Sequence, residues 1–76
     1  MRTAPKCYST RQAVACRAAN EIIRDDNLYT VVVNHIKSVP WDYGPPIDVA
    51  HRDGYPVVIY RRGIWWHYNT AEGIWF

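Results

Sequence analysis

The sequence predicts an α+β fold in which one N-terminal helix packs on a three- or four-stranded antiparallel sheet that closes in a C-terminal β-meander. Three observations predict it. "STRQAVACRAANEIIRDDN" repeats apolar residues at helical spacing, "LYTVVVNHI" concentrates β-branched residues, and "YPVVIYRRGIWWHYN" is two extended runs around a glycine.

The helix is expected from about Thr10 to Asp25. Ser9 followed by Gln12 has the form of a capping box. Val14, Ala15, Ala18, Ala19, Ile22 and Ile23 make the apolar stripe, and Arg11, Arg17, Glu21 and Arg24 lie outside it. The alanines allow close approach to a sheet. Asp25 and Asp26 sit awkwardly at this helix's C-terminus, because acidic groups there oppose the dipole.

"LYTVVVNHI" is the strongest strand signal in the chain. With Tyr29, Val31 and Val33 on one face and Leu28, Thr30, Val32 and Asn34 on the other, both faces are largely apolar, as in an internal strand. From Lys37 to Gly54, three prolines and two glycines predict a long structured loop with a short turn or strand at "IDVAH".

The C-terminal stretch predicts a hairpin turning at Arg62-Gly63. A two-residue loop sets Arg61 against Ile64, Tyr60 against Trp65 and Ile59 against Trp66. One face then carries Val57, Ile59, Ile64, Trp66 and Tyr68 and packs on the helix as core. The other carries Val58, Tyr60, Trp65 and His67. After the turn "NTAEG", "IWF" adds a last short strand with Ile74 and Phe76 on one side and Trp75 on the other.

One helix covers one face of a sheet, so Tyr60, Trp65, His67 and Trp75 are expected to look away from the core. Either the chain's own loop covers them through Trp41, Tyr43 and Ile47, or another molecule does. With Arg61 and Arg62 beside them, Tyr60, Trp65, His67 and Trp75 form the expected partner-binding set, since Trp, Tyr and Arg dominate protein interfaces.

Composition bounds the function. The 76 residues make one domain, 1–76, and eleven of them are Phe, Trp or Tyr. So small a chain often recruits a metal, disulfides or a partner for stability, and the aromatic surplus points to a partner, self-association included. The net charge of +2 is low for a dedicated nucleic-acid module and wrong in sign for an acidic DNA mimic. Most of the basic excess is N-terminal: Arg2, Lys6, Arg11, Arg17, Arg24 and Lys37 oppose three acids through residue 38.

Cys7 and Cys16 fit neither zinc-ligand spacing nor an obvious disulfide. The sequence shows no signal-peptide or membrane-span run, and a cytoplasmic protein is expected. No cofactor motif and no metal site are read. His35, His51 and His67 match no triad or ligand pattern, so an enzyme is not expected.

The leading reading is a non-enzymatic protein that binds another protein. In size and layout the chain looks like the small accessory or inhibitor proteins of phages and mobile elements, a likeness that assigns no family. The alternative is a nucleic-acid-binding module that uses Arg61, Arg62, Trp65 and Tyr68 with Lys6 and Arg11. A third reading, a small hydrolase or nuclease, would rest on His51 and His67.

Overall fold

The structure, a computed structural model, describes residues 9–76. Expectations that fall on Arg2, Lys6 and Cys7 lie outside the described residues. The described residues form two helices followed by four strands: α1 (Thr10–Ile22), α2 (Asp26–Ser38), β1 (Pro46–Arg52), β2 (Tyr55–Tyr60), β3 (Trp65–Asn69) and β4 (Ile74–Trp75). The strands make one antiparallel meander in the order β1-β2-β3-β4. The α+β class and the C-terminal meander agree with the sequence reading. The single helix does not.

α1 starts as expected, with the Ser9 hydroxyl accepting from the Gln12 amide at 3.1 Å. It stops early, because Asp25 belongs to the next helix. The Asp25 carboxylate caps α2 by accepting from the amides of Asn27 and Leu28. The acids that sat awkwardly at one helix's C-terminus thus sit favourably at another's N-terminus.

The segment expected as an internal strand is α2. Its exposed positions, Asn27, Thr30, Asn34 and Ser38, recur three or four residues apart, which is one polar stripe of a helix. Apart from the exposed first residue Asp26 and half-buried Lys37, the rest is buried, with Val32 and Ile36 at 0% exposure. β-branched residues carry only a weak bias against the helix, and burial on a two-sided site outweighs it.

The two helices are tied end to side. Gln12 is buried, and its amide donates to the Val39 carbonyl at 2.9 Å and the Ile36 carbonyl at 3.2 Å, satisfying the C-terminus of α2. The irregular stretch is correspondingly shorter than the predicted loop, spanning 39–45, and the strand suspected at "IDVAH" is the centre of β1.

β1 and β2 join through Asp53-Gly54, whose φ values of 56° and 82° are the left-handed pair of a type I′ turn. The second hairpin differs from the prediction by one residue. Its loop is Arg61-Arg62-Gly63, closed by Tyr60 N–H to the Ile64 carbonyl at 2.8 Å and Gly63 N–H to the Tyr60 carbonyl at 2.9 Å. That three-residue form, with Gly63 at φ 88°, pairs Ile59 with Trp65, Val58 with Trp66 and Val57 with His67. A slip of one residue exchanges the faces of β2. The helices therefore cover Val49, Val58, Tyr60, Trp66, Tyr68 and Trp75. Ile59, expected in the core, lies on the opposite face.

Ala15 and Ala19 are fully buried, within the cluster that joins α1 and α2 to Val58, Tyr60 and Tyr68. The expected packing of the alanines on Val57 and Ile59 does not occur. Trp41, 1% exposed, lies edge-on to Tyr60 and His35, so the 39–45 segment seals the helix side of the sheet. Among the described residues, no helix is long and apolar enough to cross a membrane.

Candidate functional site

With both helices on one side, the other side of the sheet faces outward. Alternation and register place Asp48, Ala50 and Arg52 of β1, Tyr55, Val57 and Ile59 of β2, and Trp65 and His67 of β3 on it, with Phe76 opposite His67. The rings touch in series. Arg52 lies over Trp65, its guanidinium carbon 5.2 Å from the ring centre. Trp65 lies 5.2 Å from His67, His67 stacks parallel on Phe76 at 4.7 Å, and Phe76 meets Tyr55 edge-on at 5.1 Å.

The array is ordered from beneath and open above. Val57, opposite His67, is 1% exposed, so the surrounding side chains cover it. Trp65 and Phe76 remain 44% and 52% exposed. His67 is held in place by the Asp53 carboxylate, 3.0 Å from its Nε2. The type I′ turn thus fixes both Asp53 and the facing pair Arg52 and Tyr55.

Of the six residues expected to bind a partner, Trp65 and His67 lie on this face. Arg61 and Arg62 are exposed at the hairpin end, where Arg61 N–H donates to the Pro45 carbonyl. The Arg62 guanidinium is turned back to the Asp42 carbonyl at 3.0 Å, beside the Arg11–Asp42 ion pair. Tyr60 and Trp75 are not on the face. Tyr60 is fully buried by the register slip, and Trp75, opposite Tyr68, stacks on His35 at 4.6 Å. The loop residues Trp41 and Tyr43 pack on the helix side, so they do not cover Trp65.

Arg52, Tyr55 and Phe76 were missed as neighbours of Trp65. The signal was present: "RDGY" is an Asp-Gly hairpin turn, and reading it as one pairs Arg52 with Tyr55 at once.

A second polar cluster is internal. Tyr68 bridges His35 Nδ1 at 2.6 Å and the Tyr60 hydroxyl at 2.5 Å. Burial lowers His35 from 6.5 to about 4 and raises both phenols above their ordinary range, so all three are neutral in the folded protein near neutral pH. The chain is buried at all three members, and it satisfies polar groups inside the core.

His51 and His67 do not meet. His51, opposite Pro56, is on the helix-side alternation of the sheet, and His67 is on the outer face. Among the described residues no three His, Cys, Asp or Glu side chains are grouped to hold a metal ion. Compared with known proteins, the chain matches no family model, no curated protein and no solved structure.

Proposed function

We propose that this is a non-enzymatic binding protein of accessory or inhibitor type, and that the outer sheet face docks another protein. The observation that supports it is the connected ring array from Trp65 through His67 and Phe76 to Tyr55, ordered by the sheet yet half-exposed at both Trp65 and Phe76. Large rings lose little entropy on contact and bury much apolar area, and an arginine-flanked Trp is a frequent energetic anchor of protein interfaces.

Charge favours protein over nucleic acid. Asp48 and Asp53 share the face or its rim with Arg52, whereas a phosphate backbone needs an excess of cations. Separation of His51 from His67 removes the geometric support for a hydrolase built on that pair.

Trp65→Ala tests the reading. The variant is expected to fold, because Trp65 is 44% exposed, and to bind its partner more weakly by about 2 kcal/mol or more. The measurement is quantitative affinity capture from the native host with wild-type and Trp65→Ala baits, each with and without nuclease. Proteins retained by wild type, lost with the variant and indifferent to nuclease support the proposal. Loss on nuclease treatment, or steep weakening with salt, would transfer the face to nucleic acid.

A further inference from the structure

We infer that two copies of this chain pair β4 against β4 across a two-fold axis at Trp75, forming one continuous eight-stranded sheet. Phe76 exchanges both hydrogen bonds with His67, at 2.9 and 3.0 Å, and Ile74 is aligned with Asn69. In an antiparallel ladder, residues facing the neighbouring strand alternate with residues facing away. Trp75 therefore presents its N–H and C=O to the side beyond β4, where the described residues place no further strand.

The two edges of the sheet are built differently. β1 carries Pro46, a bulge at Ile47, the charged Asp48 and Arg52, and an Asp48 carboxylate that takes the Val49 amide. Each device discourages pairing with another strand. β4 with Phe76 reads Ile-Trp-Phe, with no charged side chain, proline or bulge, and leaves Ile74 and Phe76 48% and 52% exposed.

The exposed apolar side chains of this edge suit a second copy. An antiparallel strand centred on Trp75 puts Trp75 opposite its own copy, Ile74 opposite Phe76 of the second copy, and Phe76 opposite Ile74 of the second copy. Both flanking pairs are apolar, and the same pair occurs twice, which is the self-complementarity an isologous contact requires. Half-buried Trp75 would meet its twin on the helix side, deepening the cover over His35. On the outer side the Trp65–His67–Phe76 rows of both copies would run together. The inference concerns an edge and stands whether or not the outer face binds a partner.

Sedimentation equilibrium from low to high micromolar concentration tests it, with wild type and Ile74→Lys compared after thermal melts show both folded. Wild type should dimerise, and Ile74→Lys should weaken the dimer about tenfold or more. A cross-linking arm reads the register in a Cys7→Ser background. Mixed Ile74→Cys and Phe76→Cys chains should form disulfide heterodimers on oxidation, because that pair flanks the two-fold residue, while neither chain should cross-link efficiently alone. A wild-type monomer throughout the range overturns the proposal. So does a dimer indifferent to Ile74→Lys, or cross-linking equal in the single variants; the first outcome would leave the β4 edge to a strand from another protein.

Discussion

His35 is a neutral imidazole enclosed by the rings of Trp41, Trp66, Tyr68 and Trp75. Its base is held near 4 in the fold and returns to about 6.5 on unfolding, so protons bind more readily to the unfolded chain. Stability from this residue is complete above pH 6.5. It falls as pH drops toward about 4 and levels off below, with a total loss of about 3 kcal/mol at most, since the stacked Trp75 ring favours the imidazolium and returns part of that cost. Denaturant midpoints at pH 7 and pH 5 check this. Wild type should lose more stability over the interval than His35→Gln, and parallel losses would remove His35 from the acid response. Trp66 shows the opposite economy: its indole N–H is buried with no hydrogen-bond partner among the described residues, a tolerated cost of placing a large ring against His35 and Tyr43.

At the scale of elements, turns decided what could be read. α1, β3 and β4 were legible because their alternations need no knowledge of a neighbour, and the opposite placement of Trp65 and Trp66 followed from β3 alone. β2 was read on the wrong face because one extra residue in the Arg61-Arg62-Gly63 loop reverses it, and apolar Val57, Val58, Ile59 and Tyr60 offer no polar marker to correct the error. α2 was hidden by three consecutive valines, although Asp25 before it and the Asn27, Thr30, Asn34 stripe carried the helical signal. The site inherited these errors: Tyr60 and Trp75 were assigned outward, and Arg52 and Tyr55 could not be placed without β1. Glycine replacements separate backbone strain from crowding. Gly54 and Gly44 have nearly equal φ, 82° and 80°, but a Cβ at Gly54 meets nothing within 4 Å, whereas one at Gly44 lies 3.2 Å from the Arg61 Cβ. Gly54→Ala should cost about 1 kcal/mol from φ alone. Gly44→Ala should cost visibly more in the same urea titration, and equal costs would mean the 39–45 segment yields freely.

On the whole-molecule scale, the sheet divides its tryptophans by side. Trp75 and Trp66 build the helix-side layer with Trp41, and Trp65 stands alone on the other face. Trp75→Ala removes a ring stacked on His35 and should destabilise by about 3 kcal/mol or more, a large share of the stability of a chain this size. Trp65→Ala should shift the thermal midpoint by no more than a few degrees. Comparable melts for the two would mean that the outer array contributes to the fold as much as the core does.

The solitary exposure of Trp65 has an optical consequence. Of the four tryptophans, Trp41 is buried, Trp66 and Trp75 are half-buried against the core, and Trp65 alone is exposed to solvent. Iodide, a charged quencher confined to water, should therefore extinguish chiefly the Trp65 contribution to emission. Whatever settles on the outer face should shield that contribution, while pairing through the β4 edge should leave it accessible. The protein carries its own unlabelled reporter, able to tell occupation of the ring array from association of two sheets.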